Sequence, residues 1–255
     1  MNKQTKIIWK GLSLLDNSPI MVLAKTGSRN SKTGDMVQTY IIRSDMRPAD
    51  ANRLGEDFGV CGDCIHRGTP DATKPDGLAN NRSCYVEMRG VTAMYKAYRR
   101  GSYEDISNHP EAIAKLARGR KVRLGAYGDP AVVDSRLWDN LLKDATGSTG
   151  YTHQLNQPKA DVRTDLFMIS ADTMYDGLMA WKNKTRTFRV IHSIKQLAPN
   201  EIICPATPEA KNTKPTTCEA CRLCEGTTDK TQHAPSIAVI VHGAGKKHFR
   251  TNTTL

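Results

Sequence analysis

Four cysteines fall within 21 residues in 204-CPATPEAKNTKPTTCEACRLCEG-226, in a chain that has only seven. The C-x2-C-x2-C run of Cys218, Cys221 and Cys224 lets three thiolates converge on one ion from a tight turn, and Cys204 can supply a fourth. Four sulfurs in a reducing compartment suit a closed, tetrahedral structural zinc. His233 and His242 compete for the fourth position. An iron–sulfur cluster is the other metal reading, although no cysteine follows Cys224 as the bacterial ferredoxin spacing would require. A second set, Cys61 and Cys64 with Cys84 and His66, offers a further metal site, against the plain alternative that Cys84 is a buried core thiol.

Carboxylates and imidazoles form another group. Asp129 stands in a Gly-Asp-Pro turn after 121-KVRLGAY-127, His153 and Gln154 follow 146-TGSTG-150, and Asp172 follows 166-LFMIS-170. In parallel α/β folds the residues just past the strand ends carry the chemistry. One such carboxylate can attack an anomeric carbon while another, or a histidine, handles protons. Gln154 can read the edge of a purine, and Tyr127, Tyr151 and Tyr85 can stack on an extracted base. Lys25, Arg29 and Lys32, among Gly, Ser and Asn, fit a phosphate-contacting loop. Each has a plain alternative: a turn or helix cap for the aspartates, a satisfied core position for His153, a solvated loop for residues 25–39.

The elements needed to position these residues are legible as short apolar runs alternating with amphipathic segments. Strands are expected at 20–24, 37–43, 121–127, 166–170, 187–191, 201–205 and 236–242. Helices are expected at 110–119, from Pro130 through residues 134–145, and at 172–183 with Asp172 as a possible cap. The alternation predicts parallel βα units: one TIM-barrel-like α/β domain spanning residues 1–255, with irregular Cys-rich, metal-organised insertions at 59–90 and 204–235.

A net charge of +11 favours a polyanionic partner, because cationic side chains release the counterions condensed on phosphates. Apolar residues make up 38% of the chain, enough for a sizeable core and too many for a disordered tail. No apolar run is long enough to span a bilayer, and the amino-terminal stretch lacks a signal-peptide cleavage pattern, so a cytoplasmic protein is expected.

RLGAYGDP, TGYTHQ, SADT, CPATPE and CEACRLC together resemble the guanine transglycosylases, and among them the bacteriophage DNA 7-deazaguanine transglycosylases. The resemblance covers most of the second half of the chain. It implies a barrel enzyme in the host cytoplasm that replaces guanine in DNA with a 7-deazaguanine base. Asp129 or Asp172 would be the nucleophile and Cys218, Cys221 and Cys224 would hold structural zinc. The transfer-RNA enzymes show C-x-C-x2-C with a later histidine, whereas this chain has C-x2-C-x2-C with Cys204 or His242 at hand. A zinc-dependent nucleic-acid-binding replication or regulatory protein and an iron–sulfur radical enzyme are the competing readings; the C-x3-C-x2-C spacing usual for radical enzymes is absent.

Overall fold

A computed structural model describes residues 5–27, 31–210 and 216–249. Its strands are β1 (Thr5–Leu12), β2 (Pro19–Lys25), β3 (Val37–Arg43), β4 (Glu104–Asp105), β5 (Lys121–Tyr127) and β6 (Gly147–Thr149). They continue with β7 (Tyr151–Thr152), β8 (Met168–Ser170), β9 (Thr187–Ile191), β10 (Glu201–Ile203) and β11 (Ser236–Ile240). The α-helices are α1 (Pro48–Leu54), α2 (Phe58–Cys61), α3 (Met88–Arg99), α4 (Pro110–Ala117), α5 (Arg136–Leu142), α6 (Met174–Lys182) and α7 (Cys218–Cys221). No described helix is long and apolar enough to cross a membrane.

The strands form two sheets, ordered β4-β1-β2-β3-β5-β6 and β10-β11-β9-β8-β7. Only Gly150 separates β6 from β7, so the chain steps directly from one sheet into the other. A Cβ at Gly150 would come within 2.8 Å of the Phe167 ring, which leaves glycine the only residue that fits this step. From β3 through β5 to β6, and throughout the second sheet, neighbouring strands are parallel. β1, β2 and β3 instead form an antiparallel meander.

The fold is therefore mixed α/β with a parallel half. This pairing does not show a closed eight-stranded barrel: β4 and β10 end their sheets, and the meander has no place in an all-parallel barrel. The meander arises because β1, whose sequence TKIIWKGL looks like a broken apolar stretch, pairs along its length with β2.

Residues Ile20–Ala24 of β2 are fully buried, as expected for a continuous apolar run covered on both faces. Ile113 and Ala117 of α4 and Leu137, Trp138 and Leu141 of α5 complete this core, and Trp138 donates its indole N–H to the Pro130 carbonyl at 3.0 Å. α4 begins at Pro110, where its missing N–H costs nothing. α6 departs from expectation. Its cap is Thr173, whose hydroxyl accepts from the Asp176 N–H at 3.1 Å while the Asp176 carboxylate accepts from the Thr173 N–H at 2.8 Å. Asp172 is thereby released from capping.

One side chain makes several of the bonds that tie the Cys-rich stretch between β10 and β11 to the sheet. Arg186, buried at the start of β9, donates to the carbonyls of Glu225 (2.9 Å), Pro235 (2.8 Å), Ala234 (3.2 Å) and Leu223. A planar five-donor fork is the group able to serve so many acceptors at once. Replacing Arg186 with Met strands these carbonyls away from water and is expected to destabilise the protein by about 2–3 kcal/mol in urea unfolding. Cys218, Cys221 and Cys224 should then react faster with a thiol reagent, and unchanged stability and reactivity would disprove the clamp.

Candidate functional site

β5 and β6 are parallel, as are β7 and β8, and β6 runs on into β7 through Gly150. The carboxyl ends of β5, β7 and β8 therefore share one edge, and the residues that follow them meet at a cavity of about 410 Å³. Asp129, His153 and Asp172 line it together with Tyr127 and Tyr151, and both cysteine sets reach it.

The two aspartates have different surroundings. Asp129 is 6% exposed, and its carboxylate accepts from the N–H of Ala131 (3.0 Å), the N–H of His153 (2.8 Å) and Nε2 of Gln154 (2.9 Å). Three internal donors engage its two oxygens, which suits it to a structural role. Gln154, fully buried, also donates to the Cys61 carbonyl at 3.0 Å and accepts from the Asp63 N–H at 3.2 Å. It braces the loop carrying Cys61 and Cys64 and is turned away from any base in the cavity.

Asp172 faces the cavity between two histidines. Its Oδ1 lies 3.3 Å from Nε2 of His153 and 3.6 Å from Nε2 of His66. The ligand atoms of all three residues lie within 4.8 Å of one another. Ser83 Oγ, 2.8 Å from His66 Nδ1, orients that ring. Burial pushes the His66 pKa down to about 4, against the attraction of Asp172 and aided by His153. Burial opposes a proton on His153 as well, but Cys64 and Asp172 outweigh it and raise His153 well above the usual histidine range. One carboxylate thus sits between a neutral and a cationic imidazole, an arrangement that separates acid from base.

Cys61, Cys64 and Cys84 lie at the same end as these histidines. The Cys64 N–H donates to the Cys61 carbonyl at 3.2 Å, closing the C-x2-C turn, and the Cys84 N–H donates to the His66 carbonyl at 3.0 Å. Cys64 acts electrostatically on His153, and no sulfur is among the groups that shift His66, so His153 is the imidazole that senses the thiols. Burial pushes the Cys61 and Cys84 thiols up, and neighbouring sulfurs add to it.

The carboxy-terminal set gathers from two elements. Cys204 follows β10, its N–H bonded to the Ala238 carbonyl at 2.8 Å, and Cys218 opens α7 with its N–H on the Lys32 carbonyl at 2.8 Å. Thr217 caps α7, and Arg222, in the left-handed region at φ 62°, turns the chain so that Cys224 comes back toward its partners. Burial pushes Cys224 up to about 12, with Cys204, Cys218 and Cys221 all contributing. The four thiols are near enough to influence one another electrostatically, but among the described residues only His66, His153 and Asp172 bring three ligand atoms within 4.8 Å of one another, so the tetrahedral sulfur set of a structural zinc is not drawn together here. His242 is engaged elsewhere, by the Ile240 carbonyl at 2.9 Å and Lys32 Nζ at 3.4 Å. His233 lies at a separate cleft beside Trp181 and Arg186. Of the three candidates for a fourth ligand, Cys204 is accordingly the one left with the other cysteines. All seven cysteines are free of disulfides.

Tyr127 and Tyr151 are on the cavity wall, Tyr151 packed on Phe188 with ring centroids 4.2 Å apart. Lys32 also lines the cavity. Lys25 ends β2, in a hairpin rather than a βα turn, because β2 and β3 are antiparallel. Arg29 lies outside the described residues. Arg123, which the cavity also exposes, was open to detection: in the alternation of 121-KVRLGAY-127 it shares a face with Tyr127.

No protein-family model matches the chain, and no curated protein or solved structure is significantly similar to it.

The histidine pair dictates a pH profile. His66 binds its proton near 4 when folded and near 6.5 when unfolded, so stability falls as pH drops between these values. His153 is shifted upward, so its contribution is intact below about 6.5 and is lost as pH rises through its folded pKa. Urea midpoints should peak near pH 6.5, and His66→Gln should flatten the acid limb by about 1–3 kcal/mol. An unaltered acid limb in His66→Gln would refute the shift.

Proposed function

We propose that this protein exchanges a purine base in DNA, with Asp172 as the attacking carboxylate, in the manner of the DNA 7-deazaguanine transglycosylases that its second half resembles. The observation that carries the reading is the setting of Asp172: released from capping by Thr173, facing a cavity, and flanked at 3.3 and 3.6 Å by the imidazoles of His153 and His66. The net charge of +11 supports a polyanionic substrate.

In this reading Asp172 attacks C1′ of the target nucleotide and the C1′–N9 bond breaks, with its electron pair leaving on guanine. His153 gives the departing guanine a proton. The incoming 7-deazaguanine then attacks C1′, displaces Asp172 and returns its N9 proton to His153, so that acid and carboxylate are both regenerated. Tyr127 and Tyr151 flank the base. Asp129 positions His153 through its backbone N–H and takes no part in bond making. Zinc binding by Cys204, Cys218, Cys221 and Cys224 would require their sulfurs to draw closer together and would then brace the chain beside the cavity.

A second reading rests on a specific observation. Two histidines and a carboxylate whose ligand atoms lie within 4.8 Å of one another can hold a catalytic metal, and Asp172 would then be a ligand. With Cys61, Cys64 and Cys84 close by, an iron–sulfur centre belongs to the same alternative.

Radiolabelled guanine incorporation into DNA tests the exchange. Asp172→Asn should lower it by about three orders of magnitude or more while leaving the fold intact. Asp129→Asn should lose stability and keep measurable exchange. Binding of DNA without exchange would favour a nucleic-acid-binding module. Iron with visible absorbance in protein purified without oxygen would favour the metal reading.

A further inference from the structure

The lining of the cavity also includes a group of basic side chains. There Arg123 projects from β5, its Nη2 donating to the hydroxyl of Tyr85, while its Nε is shielded from solvent and has no hydrogen-bond partner. Its strongest electrostatic neighbours are the phenols of Tyr85 and Tyr151 and the thiols of Cys218 and Cys224, none of them a carboxylate. Other buried arginines are satisfied differently. Arg43 and Arg189 meet Asp45 and Glu201, and Arg186 meets backbone carbonyls. A guanidinium removed from water is costly unless an anion or a full set of acceptors receives it. Beside it, Lys32 and His242 approach each other at 3.4 Å on the same cavity wall, and His242 lies near the Tyr85 ring. Two basic groups and an incompletely bonded guanidinium therefore converge on one space.

We propose that Arg123, with Tyr85 and with Lys32 steered by His242, forms a phosphate subsite that holds the phosphate of the nucleotide whose sugar is presented to Asp172. The guanidinium fork matches two phosphate oxygens, and the Tyr85 hydroxyl fixes the orientation of the fork. Phe188, Val190, Val239 and Val241 line the wall of the same cavity and suit the base and sugar. Which nucleotide occupies the site rests on the exchange reading; the affinity for phosphate does not.

Titration calorimetry on the full-length, metal-loaded protein compares 2′-deoxyguanosine 5′-monophosphate with deoxyguanosine. The nucleotide should bind about ten-fold tighter or more, and inorganic phosphate should compete with it but not with the nucleoside. Arg123→Gln should abolish the advantage. Tyr85→Phe, at a half-exposed position, should reduce it several-fold without disturbing the fold. Should Arg123→Gln fail to fold, Tyr85→Phe and the phosphate competition decide the matter alone. Equal affinity for nucleotide and nucleoside overturns the subsite, as does an advantage that survives both substitutions. Loss of metal from Arg123→Gln with nucleotide affinity unchanged also overturns it, since Arg123 would then serve only to balance the thiolates of Cys218 and Cys224. Arg123-dependent nucleotide binding without guanine exchange would keep the subsite and remove the exchange reading; exchange with no phosphate preference would do the reverse.

Discussion

A carboxylate withdrawn from solvent holds the rim of the cavity together. Asp129 accepts N–H groups from the turn that follows it, from the end of β7 and from Gln154, while its own N–H bonds to Val60 at the end of α2 at 2.8 Å. Through Gln154 the same network reaches the Cys61 carbonyl and the Asp63 N–H. Two strand ends and the first cysteine turn are thus fixed to one another by a group whose bonds are all internal. A buried acceptor of this kind is costly to leave unsatisfied, so its partners are held in a narrow geometry.

What that geometry presents is a cavity with two kinds of lining. Asp172 faces two histidines that burial alone would both leave unprotonated, and their proton affinities are driven apart because only His153 also has Cys64 acting on it. Arg123 and Lys32, on the same lining, bring positive charge without a carboxylate among Arg123's strongest neighbours. The two cysteine sets are tied to the sheets separately, the first through Gln154 and the second through Arg186. Capping by Thr173 matters as much as any contact in the cavity, because a carboxylate used to cap α6 could not face His66 and His153.

Much of this was legible in the sequence, and the reasons for the rest are physical. The runs at 20–24, 37–43, 121–127 and 187–191 became strands because Val, Ile and Phe cluster there between turn formers. Placing Asp129, His153 and Asp172 at strand ends brought them to one cavity, as the parallel rule requires. Composition cannot tell a carboxylate that caps from one that faces a cavity, and for Asp172 the difference lies in its neighbour Thr173 together with Asp176. β1, with Trp and Lys interrupting its apolar residues, and the two- and three-residue strands β4, β6 and β7 carry too little periodicity to be recognised. The antiparallel meander follows from the pairing of β1, and so escaped with it. Gln154 looked like a base reader because its side chain can donate and accept at once; the fold uses that same versatility internally, between Asp129, Cys61 and Asp63.

Asp172 is proposed to bond covalently to a sugar carbon, and trapping that bond is the decisive experiment. The protein would be mixed with guanine-containing DNA without incoming base, denatured, digested and mapped by mass spectrometry. The account predicts a denaturation-resistant protein–DNA adduct on the peptide carrying Asp172, absent from Asp172→Asn. An adduct on Asp129, or a folded protein that binds DNA and forms no adduct at all, would contradict it.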